Sequence, residues 1–147
     1  MSSTSSDPSP QRVRRVAKGT FSVQTKPLSE SGFEGNANLG RMSLDKTFEG
    51  DLTGVGKGEM LTAMTQTKGS AGYVAIERVT GSLDGREGSF VFQHTGSMNQ
   101  GAQSLSIAVV PDSASGDLIG LEGVFTIRIE SGQHFYQFDY SLPSSPN

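Results

Sequence analysis

Apolar and polar residues alternate along most of this chain, and a repeat of two residues predicts β-strands. In "RMSLDKTFEG", for example, Met42, Leu44 and Phe48 alternate with polar residues. Gly, Asp, Asn and Ser, which favour turns, separate the alternating stretches. The pattern predicts eight strands, at residues 19–26, 41–50, 56–67, 71–83, 86–98, 103–110, 124–130 and 134–142.

Most connections between these strands are short, so consecutive strands are expected to pair in the antiparallel direction. A meander of eight strands removes its exposed edges by closing on itself. We therefore predict an all-β fold, a single eight-stranded antiparallel up-and-down barrel, with a two-sheet sandwich as the alternative. The interior of such a barrel is either filled by side chains or holds one small ligand.

The stretch "ERVTGSLDGREGSFVFQH", residues 77–94, predicts a hairpin whose register can be derived. Asp84-Gly85 is a typical two-residue type I′ turn, and it places Glu77 opposite Phe92. The residue two positions beyond Phe92 is His94, which makes Glu77 and His94 diagonal neighbours with Cα atoms about 7–8 Å apart. Their side chains are expected to lie on the same face and within reach of each other.

That face of the hairpin is rich in aromatic residues, which favours it as the inner face of the barrel. A buried carboxylate needs a partner, and a Glu–His pair can carry out general acid–base chemistry. Glu77 and His94 are therefore the candidate catalytic residues, and a purely structural polar pair is the alternative. The candidate pocket residues are Tyr73, Phe90, Phe92, Met60 and Met64, with Arg78 and Gln93 as supporting polar residues.

Composition limits the number of domains and the possible partners and cofactors. The 147 residues suit one domain, and a net charge of −3 gives no case for nucleic acid or an anionic membrane as a partner. The chain has no Cys and two His, so no metal or other cofactor is predicted, and a site built from His94 and carboxylates is the weaker alternative.

The two ends of the chain differ in composition from the rest. Residues 1–17, Ser/Pro-rich and then basic, predict a disordered tail, residues 18–143 the barrel and residues 144–147 a frayed end. No secretory signal or membrane span is found, which predicts a cytoplasmic protein.

Three longer motifs carry a family resemblance: "FEGDLTGVGKGE", "YVAIERVTGSLDGREGSFVFQHTGSM" and "SGDLIGLEG". They resemble a bacterial family of small proteins of unknown function, over residues 19–142. That family is similar in fold to the allene oxide cyclase barrel, which has eight strands and a central cavity. The resemblance implies a barrel, and it also implies a homo-oligomer, either a dimer or a trimer. The catalytic residues of the plant cyclase do not match this chain position by position, so none is transferred.

Together, these observations predict a small-molecule-binding β-barrel with a central apolar cavity that takes a small apolar molecule. Relatives of allene oxide cyclase suggest a cofactor-independent isomerase or cyclase, with Glu77 and His94 as its acid–base pair. The alternative is a non-catalytic binding module or oligomeric structural module with a filled interior. The residues alone leave open whether the protein is an enzyme.

Overall fold

The computed structural model describes residues 11–144, and its regular structure within that range consists of nine β-strands. The strands are β1 (Arg12–Glu34), β2 (Ala37–Gly50), β3 (Leu52–Thr65), β4 (Ala71–Leu83), β5 (Arg86–Asn99), β6 (Ala102–Val109), β7 (Ser115–Gly116), β8 (Glu122–Glu130) and β9 (Gln133–Pro143). In this part of the chain no helix has the length and apolar character needed to cross a membrane.

Eight of these strands form a closed antiparallel ring. The order of neighbours is β4-β3-β2-β1-β9-β8-β6-β5, and pairing between β4 and β5 closes the ring. The ninth strand, β7, is two residues long and pairs with Gly88 and Ser89 of β5, beyond the residues of β5 that pair with β6. The structure therefore confirms the predicted all-β, antiparallel fold class and adds one short strand to the predicted eight.

The hairpin of β4 and β5 has the predicted register. Glu77 pairs with Phe92, and Ala75 pairs with His94. Asp84 and Gly85 have φ angles of 49° and 86°, as a type I′ turn requires. The prediction of this register is confirmed because a two-residue turn leaves the flanking strands a single way to pair.

The first strand is longer than its sequence pattern predicted. β1 begins at Arg12, and residues 12–17 pair with β9, so the part of the predicted tail from Arg12 onward is strand. Residues 29–40, which the sequence pattern predicts as a connection between two strands, are mostly strand as well, with irregular register between Pro27 and Ser29 and between Glu30 and Phe33. Such bulges shift the alternation of faces, which explains why the pattern looked like a loop. Residues 1–10 of the predicted tail and residues 145–147 of the predicted frayed end lie outside the described residues.

One half of the ring interior is a packed aromatic core. Phe92 lies at its centre, with ring centroids 4.9 Å from Phe125, 5.0 Å from Phe90 and 5.4 Å from Phe138. Tyr136 stabilises the turn between β2 and β3, because its hydroxyl accepts a hydrogen bond from the Leu52 backbone N–H at 2.8 Å. This half of the interior has no room for a ligand, so any cavity must lie toward the other end.

Candidate functional site

A cavity of about 350 Å³ opens at the end of the ring opposite the aromatic core. Its wall comes from the ends of five neighbouring strands, β2 to β6, and much of it is methionine. The lining residues are Met42, Met60, Thr62, Met64, Ala71, Gly72, Tyr73, Gly96, Ser97, Met98, Gln103, Ser104 and Leu105. We call this space the mouth cavity.

Glu77 and His94 meet inside the ring. His94 Nε2 lies 2.8 Å from Glu77 Oε1, and the side chains are 3% and 0% exposed. Ala75, directly opposite His94 across the hairpin, is small and leaves the imidazole room to lean toward Glu77. An ionised carboxylate can only accept, so a hydrogen bond to ionised Glu77 would require the His94 tautomer with its proton on Nε2.

Lys46 is the third member of this buried cluster. Its Nζ donates to the same Glu77 oxygen at 3.2 Å, and its side chain is 5% exposed. Lys46 lies on β2 and Glu77 on β4, so the contact spans the intervening strand β3, a distance of about 9–10 Å between backbones.

Two glycines of β3 make that contact feasible. Gly56 pairs with Lys46, and Gly58 pairs with Glu77, so no β3 side chain stands between the two charges. A Cβ atom at Gly56 would overlap with Glu77 Oε2 and lie 3.1 Å from the Phe48 ring. The carboxylate therefore occupies the space that Gly56 leaves empty.

The two carboxylate oxygens of Glu77 differ in their hydrogen bonds. Glu77 Oε1 accepts from both Lys46 and His94, whereas Oε2 has no hydrogen-bond partner among the described residues. Burial lowers the pKa of Lys46 below its ordinary value of 10.5, and the charge and hydrogen bond of Glu77 oppose that shift. The Lys46 ammonium also lies 4.9 Å from the centroid of the Phe21 ring, a cation–π distance.

Tyr73 lies between the buried cluster and the mouth cavity. Its ring centroid is 6.4 Å from that of His94, and the ring covers Gly96, where a Cβ atom would overlap with it. Burial raises the pKa of Tyr73, and the negative charge of Glu77 raises it further. The Tyr73 phenol therefore keeps its proton at neutral pH and can serve as a hydrogen-bond donor at the cavity.

The structure places the candidate residues from the sequence in different surroundings. Glu77 and His94 form the buried pair, and Tyr73, Met60 and Met64 line the mouth cavity. Phe90 and Phe92, by contrast, are 1% and 0% exposed and belong to the core, because aromatic side chains of β8 and β9 fill the ring at their level.

Arg78 and Gln93 point away from the interior of the ring. Both lie on the outer face of their strands and are exposed. Alternation explains this position, since each directly follows or precedes an inward-pointing member of the Glu77–His94 pair. Their expected role as supporting polar residues stays a prediction.

Lys46 is the site residue that the sequence pattern did not reveal, although a signal was present. It occupies an inward position of β2, between buried Leu44 and Phe48. Lysine at such a position needs a buried acid, and Gly56 and Gly58 in "GVGKG" mark the strand that lets the acid approach. Met42 and Met98 also line the mouth cavity beside the two predicted methionines.

Metal ligands are not grouped around these residues. Within residues 11–144, no three His, Asp or Glu side chains are placed so that they could hold a metal ion. The second histidine, His134, packs on Phe21 with ring centroids 5.0 Å apart.

Comparison with known proteins places this geometry in a family. Residues 17–140 match the family described as "Protein of unknown function (DUF3224)". A crystal structure of a DUF3224-family protein of unknown function from Shewanella oneidensis MR-1 is similar to this chain, with 50% sequence identity and a TM-score of 0.83. The match covers 91% of this chain and 100% of the Shewanella protein. Curated proteins gave no match. The chain belongs to the DUF3224 family.

Proposed function

We propose that this protein binds a small, mostly apolar molecule in the mouth cavity. The observation that carries the proposal is the cavity itself: about 350 Å³ of space at one end of the ring, walled largely by methionine, tyrosine and leucine side chains. Ligand pockets occupy about 300–1,000 Å³, so this volume suits one small ligand. Methionine adapts its shape to an irregular apolar partner more easily than other apolar side chains do.

A pair of tryptophan variants on β6 tests this proposal. Leu105 is 46% exposed and lines the cavity, whereas the next residue, Ser106, is exposed on the outer face. Wild type is titrated with Nile red, an uncharged dye whose fluorescence rises in apolar surroundings. We expect saturable binding that Leu105→Trp weakens at least about tenfold and Ser106→Trp leaves unchanged. Equal binding by both variants would place the dye elsewhere and contradict the proposal.

A catalytic form of the same proposal rests on the Glu77–His94 hydrogen bond of 2.8 Å beneath the cavity. In that form the bound molecule reaches past Tyr73 to the pair, which moves a proton on it, as in a cofactor-independent isomerisation or cyclisation. Tyr73, between the pair and the cavity, places the ligand. Holding one reactive conformer away from water would supply much of the rate effect.

Proton exchange gives a test of the catalytic form that needs no known substrate. The methyl protons of 2-acetylnaphthalene are weakly acidic, and a buried base would exchange them for deuterium in D₂O. We expect exchange faster than in buffer, detected by mass spectrometry, and its loss in Glu77→Gln and His94→Asn. Binding without enhanced exchange would favour the non-catalytic form.

An oligomeric structural module is the second candidate, and exposed apolar residues on the outer face favour it. Leu61, Val74 and Ile76 adjoin one another on β3 and β4 and are 58%, 49% and 53% exposed. Sedimentation equilibrium of wild type and of Ile76→Lys tests this role. A dimer or trimer that the variant dissociates would support it, and a monomeric wild type would exclude it.

A further inference from the structure

The mouth cavity offers a ligand no charged group. Among the described residues that line it there is no Lys, Arg, Asp, Glu or His. Lys46, the cation inside the ring, lies outside the lining, and Glu77 already engages its ammonium at 3.2 Å. A carboxylate or ammonium entering the cavity would lose water without gaining a charged partner, which is strongly unfavourable.

The lining does offer hydrogen bonds at a few points. Inward-facing Tyr73, Thr62 and Gln103 carry polar atoms on a wall that is otherwise apolar. The Tyr73 hydroxyl has no hydrogen-bond partner among residues 11–144, and burial raises its pKa. Its phenol is therefore free to donate to an acceptor on the ligand.

The methionines add a preference for aromatic ligands. Met42, Met60, Met64 and Met98 come from three different strands and surround the cavity together with the Tyr73 ring. Thioether sulfur makes favourable contacts with aromatic rings, often at the ring edge. Aromatic faces also pack well against another ring such as that of Tyr73.

We infer that the ligand of the mouth cavity is an uncharged aromatic molecule. It carries a hydrogen-bond acceptor, such as a ketone oxygen, that accepts a hydrogen bond from the Tyr73 hydroxyl. This inference rests on the proposed function and narrows it to one chemical class. It excludes the anionic class, including fatty acids and aromatic carboxylates.

Three naphthalenes of nearly equal size test the inference by calorimetric titration of the full chain. They are 2-acetylnaphthalene, which is uncharged with an acceptor, 2-naphthoate, which is anionic, and 2-ethylnaphthalene, which has no acceptor. We expect the ketone to bind at least about tenfold more tightly than the carboxylate, since desolvated charge has no partner. It should bind about fivefold more tightly than the ethyl compound, the effect of one hydrogen bond.

Tyr73→Phe should abolish the preference for the ketone over the ethyl compound, and Tyr140→Phe, at the other end of the ring, should keep it. A carboxylate that binds as tightly as the ketone would overturn the inference while leaving Nile red binding and the proposed function intact. Equal binding of the ketone and ethyl compounds to wild type would also overturn it, whatever the stability of the variant. If wild type also fails to bind Nile red, the proposed function itself has failed.

Discussion

Replacing Lys46 by methionine isolates the energetic role of the buried cluster. Two unit charges 3.2 Å apart attract by about 5 kcal/mol at an effective dielectric constant of about 20, before the cost of burying them is subtracted. The variant keeps the length of the side chain but leaves Glu77 with His94 as its remaining partner. Breaking one side of a buried pair costs about 3–5 kcal/mol, a large part of a typical domain stability.

The second variant and a surface control make the measurement specific. Lys46→Met combined with Glu77→Gln removes both charges, so its cost should fall about 2–3 kcal/mol below the sum of the two single costs. Lys57→Met is the control, because Lys57 pairs with Asp45 at a similar distance of 3.1 Å but is 76% exposed. A surface pair of this kind contributes about 0–1 kcal/mol.

The free energy of unfolding is measured from urea denaturation at pH 7, followed by far-ultraviolet circular dichroism because the chain has no tryptophan. We expect Lys46→Met to lose several times more stability than Lys57→Met. Equal losses, or costs that simply add in the double variant, would refute the role of burial and of the Lys46–Glu77 contact.

Three further predictions address the packing and titration of the ring. Gly56→Ala should lose about 2 kcal/mol in urea denaturation because its methyl group overlaps with the Glu77 carboxylate, whereas Gly72→Ala, whose Cβ meets its nearest neighbour at 3.8 Å, should change stability by less than about 0.5 kcal/mol. A similar loss in both would mean that the overlap is not the cause. Tyr136→Phe should cost about 1–3 kcal/mol by leaving the Leu52 N–H without its partner, and a neutral result would show that the turn finds another acceptor. Burial raises the pKa of all three tyrosines above the ordinary 10.0, so at pH 10 the folded protein should absorb far less at 295 nm than the urea-unfolded chain, in which about half of the phenols are ionised. Because the folded state retains protons that the unfolded chain releases, stability contributed by these groups is complete below pH 10 and is lost as pH rises above it; an absorbance curve identical to that of the unfolded chain would contradict this.

Local turn chemistry made the central hairpin predictable. Asp84-Gly85 has one favoured turn geometry, and from it the positions of Glu77 and His94 on one face follow without knowledge of the rest of the fold. Closure of the ring follows in turn from eight strands with short connections and two edges to protect. The first strand was harder to predict, because irregular register near Pro27 and Glu30 interrupts its alternation.

The alternation of apolar and polar residues could not predict contacts between strands that are not adjacent in the ring. Lys46 meets Glu77 over a third strand, so its role depends on the relative register of β2, β3 and β4 and on the glycines between them. Phe90 and Phe92 were expected at a pocket, yet they lie in the core because Phe125 and Phe138 fill the same level of the ring. Alternation predicts which face a side chain occupies, but not which rings from distant strands share its space.

The distribution of methionine has a practical consequence for spectroscopy. The chain has five methionines, and the four that follow the first residue, Met42, Met60, Met64 and Met98, all line the mouth cavity. A sample labelled with ¹³C at methionine methyl groups would therefore carry four reporters at one location, a natural sensor for occupancy. Any molecule that enters the cavity should shift these resonances, whereas a molecule on the outer face of β3 and β4 should leave them in place.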